Sequence, residues 1–395
     1  MSDQRSRPIT TVLGLRLGIA KSKSKSAVVV GDLGSLGALI QRGRAALEDG
    51  DLDRARAALA SAQAAAPEAR DVLLLQALVQ AGGGDDDDAG ASFDRALALF
   101  PDDVALVASK ALWLLDDVGD AAAALPLLEE ALAFANEADA GDDADEDDLA
   151  ALCALLGRRL VEARLDAGDV EGAIAAAREA LAIEDDPDTR AALGAALYSA
   201  GDVDDAAVVI AAAGDAPVAA LHLIAARVAV ARGDEAGAQR SFSRAVALDG
   251  ELAVPPRLPP ARFKAIVDDV VARVPEPLRG YLAEVPVDVA AVVDLPRLQA
   301  AHRSPGTPLL IEGPARLPGS GDPFDHRPLA AVLFQRNVEL LAQDEDDVAA
   351  VVTAVLVESF GAFLALDIED DELDPLADPG SDEEATDDAG DDDDD

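Results

Sequence analysis

Few residues in this chain can do chemistry. Its histidines are His222, His302 and His326, and its one cysteine is Cys153. A lone thiol closes no disulfide within the chain and builds no cysteine zinc site. The stretch VLVESFGAFLALD, residues 355–367, ends an apolar helix and carries a carboxylate beside a hydroxyl, Glu358 and Ser359. Metal-assisted hydrolysis on such a helix needs two imidazoles one turn apart and a Glu beside the bound water. No histidine lies on it. A second set, Arg44, Arg158, Tyr198 and Arg227, is basic and aromatic. It suits the capture of an acidic or C-terminal peptide rather than catalysis.

The elements that must position these residues follow from composition and periodicity. A chain of 395 residues has room for two or three domains and a large core. Half of it is apolar, but only 3% is aromatic. Ala, Leu and Val supply most of that apolar share, which favours closely packed helices over an all-β fold. The net charge is −45 and the sequence pI is near 4.1. Such a field repels phosphate backbones, so no nucleic-acid partner is expected. Five lysines stand against 27 arginines; abundant Asp with scarce Lys fits a salt-adapted or high-GC bacterial source. A single cysteine fits the reducing cytoplasm. No apolar run reaches the roughly 18 residues that span a bilayer. Residues 1–30 read as a flexible basic arm, its short apolar part interrupted by Arg16 and followed by no good small-residue cleavage site.

The dipeptide Gly-Asp recurs at 50, 84, 119, 168, 201 and 233. Five residues after each Gly stands Ala55, Ala89, Ala124, Ala173, Ala206 or Ala238, and twelve after stands Ala62, Ala96, Ala131, Ala180, Ala213 or Ala245. Nine after lies Leu59, Phe93, Leu128, Ala177, Ile210 or Phe242. The Gly ends one helix in a left-handed conformation and the Asp caps the next. Offsets of five, nine and twelve share one helix face, where two alanines admit a neighbouring helix and the residue between them fills the gap. Pro67 and Pro101 mark where second helices stop. Over residues 36–250 this pattern resembles the tetratricopeptide repeat, with Leu or Ala at most of that family's aromatic positions. The resemblance implies a six-repeat α-solenoid over 31–250 whose first helices line a protein-binding groove. Its inward side would carry Ile40, Arg44, Leu74, Leu78, Arg158, Tyr198, Leu223 and Arg227. The family's Lys/Asn carboxylate clamp is absent as a set, and Glu162 stands one turn from Arg158, where the two can pair. The acidic insertion 136–148 should be an exposed loop between repeats three and four.

After Gly250 the texture changes. Residues 251–260 are Pro-rich and read as a linker. A helix is expected over 263–275, strands over 285–296 and 307–313, a strand beginning at 330 that turns polar at Gln335, and a long helix over 344–366. The order is that of a small α+β domain. FKAIVDDVVARVPEPLRGYLAEVPVDV, VLFQRNVE and the helix into FGAFLALDIEDDEL make residues 261–373 resemble the minimal zincin-type metallopeptidase domain of bacteria. That family's zinc helix carries H-E-x-x-H. Aligned without gaps on GAFLALD, its first His falls on Glu358, its catalytic Glu on Ser359, its second His on Ala362 and its third ligand on Ile368. A one-residue shift puts Val357 and Gly361 at the His positions, Glu358 at the base and Asp367 at the third ligand. Neither register supplies a histidine. His302 and His326 flank a loop of the same domain, from which a site with Glu358 would have to be rebuilt. Residues 374–395 form an acidic tail expected to be disordered.

The expected fold class is therefore mostly α: a tetratricopeptide-type α-solenoid followed by a small α+β zincin-like domain. The expected function is a non-catalytic, cytoplasmic scaffold for a protein or peptide partner, with no cofactor and no metal. The groove residues Arg44, Arg158, Tyr198 and Arg227 would contact that partner, and Glu358, Ser359 and Ala362 mark a degenerate zinc site. The competing expectation is an active zinc metallopeptidase with unusual ligands.

Overall fold

The computed structural model describes residues 33–137 and 146–366. The basic arm, most of the acidic insertion and the acidic tail lie outside the described residues.

Twelve helices among the described residues follow the repeat. They are α1 (Leu33–Glu48), α2 (Leu52–Ala65), α3 (Arg70–Ala81), α4 (Asp86–Leu99), α5 (Val104–Trp113), α6 (Ala121–Glu137), α7 (Glu146–Asp166), α8 (Val170–Ile183), α9 (Pro187–Ala200), α10 (Val203–Ala212), α11 (Ala219–Ala231) and α12 (Glu235–Leu248). The glycine of each of the six repeat Gly-Asp pairs has positive φ, between 72° at Gly50 and 89° at Gly201, a conformation in which a Cβ would be strained. Asp51, Asp120, Asp169 and Asp234 each accept the backbone N–H three residues on. Asp85 and Asp202 make no such side-chain cap. The alanines five and twelve after each Gly are fully buried, apart from half-buried Ala213 just beyond the short α10. Helices α2 and α4 stop before Pro67 and Pro101.

Two irregularities have physical causes. Gly84 and Gly119 are 35 residues apart where Gly50 and Gly84 are 34 apart. The spacing is taken up in a π-helical turn, Leu114–Val118, at the end of α5. The insertion expected as a loop over 136–148 is helical at both ends. α6 runs to Glu137 through an Ala-rich stretch, and α7 begins at Glu146, where an acidic start suits the helix dipole.

The chain divides into two compact units between Val228 and Ala229, upstream of the Pro-rich segment. In the second unit α13 (Pro260–Arg273) and α14 (Leu278–Glu284) lead to β1 (Asp288–Ala290), α15 (Leu295–Ala300), β2 (Leu309–Glu312), β3 (Ala330–Phe334), α16 (Gln335–Glu339) and α17 (Val348–Leu364). The sheet order is β1-β3-β2, with β1 parallel and β2 antiparallel to β3. Alternate strand residues face opposite ways, as pleating requires. Leu309, Ala331 and Leu333 pack with α13, α14 and α17, whereas Leu310, Val332 and Phe334 pack with Leu298 of α15. The strand expected over 285–296 is three residues long, because Asp294 caps α15 and Pro296 sits in its first turn.

Residues 251–260 are held within this unit. Glu339, 1% exposed, accepts the Leu258 N–H at 2.9 Å, and Gln335 donates to the Leu258 carbonyl at 2.8 Å. Arg336, 4% exposed, donates to Glu339 at 3.0 Å and to the Pro256 carbonyl at 3.1 Å, while its Nε lies 3.8 Å from Glu235 of α12.

Candidate functional site

In the first unit the inner helices α7, α9 and α11 line an open cavity of about 410 Å³. Its lining repeats with the fold. Ten residues before Gly168, Gly201 and Gly233 stand Arg158, Ala191 and Leu223; six before stand Glu162, Ala195 and Arg227. All six line the cavity, with Leu155, Val161 and Ile224 in its floor and Arg159 and Asp188 also against it. At the same offsets repeats one and two carry Ile40 and Leu74, then Arg44 and Leu78. Leu74 and Leu78 are buried in one core cluster with Phe93 and Trp113, whose rings lie 5.5 Å apart. Part of the room comes from repeat five, which has Ala191 and Ala195 where repeat two places Leu74 and Leu78.

The structure brings Arg158 and Arg227 to this cavity; Tyr198 is outside its lining but near enough to feel the Arg227 charge, and Arg44 stands apart on α1, 3.9 Å from Asp71. Arg158 does not pair with Glu162. It meets Asp186, the N-cap of α9, and the Thr189 hydroxyl, both at 3.1 Å, because the next inner helix starts within its reach. Glu162 instead accepts from Arg159 at 2.7 Å, and Arg159 also lies 3.3 Å from Asp116. Burial tends to lower the Arg159 pKa, but Glu162 and Asp116 outweigh it and hold it above the usual value. Arg227 is exposed and has no carboxylate partner among the described residues. Tyr198, one turn from Ala195, is 5% exposed, and its hydroxyl makes no hydrogen bond to the described residues. Burial pushes its pKa up to about 12, against the pull of the Arg227 charge.

Sequence reasoning missed Arg159, Ala191 and Ala195. The signal available for the alanines was their phase before Gly201, hidden by an Ala-rich background.

In the second unit Val355, Leu356, Phe360, Phe363 and Leu364 are buried on α17, while Glu358 and Ala362 are exposed and Ser359 is half-buried. The helix ends at Ala365, whose φ is 51°. A loop closes on that end: the Arg316 N–H donates to the Phe363 carbonyl at 2.8 Å, and its guanidinium to the Leu364 carbonyl at 3.0 Å. His326 belongs to the same loop. Its ring packs 5.0 Å from Phe363, and its Nε2 lies 2.8 Å from the Pro314 carbonyl. His302 is exposed after α15, with a φ of 52°. Neither imidazole joins Glu358: among the described residues no three His, Cys, Asp or Glu side chains are placed to hold a metal ion. His222 is buried on α11, its Nε2 2.9 Å from the Ala216 carbonyl. The alternative third-ligand positions, Asp367 and Ile368, lie outside the described residues.

Residues 40–104 match the family model of the tetratricopeptide repeat. No curated protein matches the chain. Among solved structures, the chain is similar to PilW, a type IV pilus biogenesis factor, at 18% identity and a TM-score of 0.45, over 54% of this chain and 93% of that one. It is similar to PilF of Pseudomonas aeruginosa at 18% identity and a TM-score of 0.44, over 55% and 93%. A thermophilic tetratricopeptide-repeat protein of Thermus thermophilus is similar at 18% identity and a TM-score of 0.36, over 54% and 98%. No helix among the described residues is long and apolar enough to cross a membrane.

Proposed function

We propose that the tetratricopeptide-type repeats of this chain form a non-catalytic scaffold that holds a protein or peptide partner in the cytoplasm. The observation that carries this reading is the 410 Å³ cavity on three consecutive inner helices, floored by apolar side chains and edged by arginines. Concave sites of this kind, mostly apolar with a few placed polar groups, are where ligands bind. In the second unit we read a zincin-like domain without zinc chemistry, retained as a further binding module. An edge of its sheet offers unpaired backbone groups to an extended chain.

The residues at the zinc positions do not fit the metal. Zinc takes imidazole nitrogen, thiolate sulfur or carboxylate oxygen in a preset tetrahedral arrangement. Glu358 offers one carboxylate, and Ser359 and Ala362 offer no ligand that zinc prefers. Zinc content of the full chain, purified without added metal and assayed beside casein hydrolysis, tests the reading. A content far below one equivalent with no hydrolysis is expected; near one equivalent with cleavage would contradict it.

A further inference from the structure

We propose that the cavity over α7, α9 and α11 binds an extended partner segment through one bulky apolar side chain followed by a carboxylate, which meets Arg227 and the Tyr198 hydroxyl. This rests on the scaffold reading and narrows it to one half of the solenoid and one kind of ligand.

The apolar side chain is implied by the room. Ala191 and Ala195 line the cavity at offsets that Leu74 and Leu78 occupy in repeat two. The floor of Leu155, Val161 and Ile224 gives an apolar side chain area to bury and offers a polar one little to bond. At about 410 Å³ the space lies near the lower end of ligand pockets, which run roughly 300–1,000 Å³, so it suits one or two side chains rather than a whole helix.

The carboxylate is implied by what is left unsatisfied. Arg158 and Arg159 are committed to Asp186, Asp116 and Glu162. Arg227 has no such partner among the described residues, on a chain whose net charge is −45. Tyr198 is close enough for the Arg227 charge to act on its phenol, and its hydroxyl has a proton to donate. A carboxylate accepts from both at once, and a hydrogen bond from an ionised donor is the stronger kind. Asp188 and Glu162 on the same rim repel a second acid, which selects a single carboxylate beside an apolar residue over a long acidic run.

Fluorescence polarisation of the full chain with a fluorescein-labelled peptide, GSLFDSGSGS, tests this. Saturable binding is expected, weakened about tenfold or more when the peptide's Asp is Lys, when its Leu-Phe is Ala-Ala, in Arg227→Glu, and in Ala195→Leu, which fills the cavity without changing charge. Tyr198→Phe should weaken binding about threefold, and Arg44→Glu should leave it within about twofold. Circular dichroism melts establish that each variant folds, and Arg227→Glu, at an exposed site, keeps the test decisive if Ala195→Leu does not. No binding of the probe would overturn the proposal. Equal losses in Arg44→Glu and Arg227→Glu would also do so, since bulk charge would then be the cause. A tenfold gain on deleting residues 367–395 would name the chain's own tail as occupant in place of a partner. None of these results touches the scaffold reading, which fails separately on zinc content and hydrolysis.

Discussion

Repeats one to three and repeats four to six share one hairpin and differ in what stands on their inner helices. In the first half Leu74, Leu78 and Trp113 turn inward and are buried, so the inner face is spent on the repeats' own core. In the second half Ala191 and Ala195 stand where repeat two has leucine, and the face is left open. The outer packing is nearly the same in both, with the alanines after each Gly buried throughout all but repeat five. In these repeats the buried stacking and the open inner face are set at separate offsets. The positions after each Gly set the stacking, and those before it decide whether a groove exists.

The largest expected effect tests the filled half. Trp113→Ala removes a buried ring packed on Phe93 and should cost about 3–5 kcal/mol in urea unfolding. Ala195→Leu, facing open space, should stay within about 1 kcal/mol. Similar costs for the two would erase the distinction between the halves.

Asp117 sharpens the same contrast. It lies in the π-helical turn of repeat three, with one carboxylate oxygen buried and unpaired. Burial, then Asp116 and Asp86, push its pKa up from 3.8 to about 6. The folded state therefore holds this proton more tightly than the unfolded one, and the stability that protonation confers is lost as pH rises from about 4 to 6. Asp117→Asn should raise Tm at pH 7 by about 2 °C or more and change it little at pH 4. An equal shift at both pH values would argue against a buried charge as the cause.

The smallest expected effect lies in the second unit. Glu358→Gln, on the exposed face of α17, should change unfolding by less than about 0.5 kcal/mol and leave zinc content where it was. A drop in bound zinc would restore Glu358 as a ligand.

Much of this was legible because its causes are local. A left-handed Gly, an Asp cap and alanines at fixed phase are visible within a few residues of each other, and so were the strands at β2 and β3. The rest depended on partners distant in sequence. Arg158 finds Asp186, 28 residues on, rather than the neighbour one turn away. The Pro-rich segment looks like a linker until Glu339 holds Leu258 from 81 residues downstream. The cavity escaped for another reason: it is made by small side chains, and in an Ala-rich chain one more alanine carries no contrast. On α17 the apolar residues Val355, Leu356, Phe360, Phe363 and Leu364 pack, as their spacing foretold, while Glu358 and Ala362 face outward.

Amide hydrogen exchange of the full chain with and without the GSLFDSGSGS probe reads the open half of the inner face directly. Added protection is expected in α7, α9 and α11 and none in α1, α3 and α5. Protection spread evenly over all the inner helices, or confined to the first half, would contradict the proposed site.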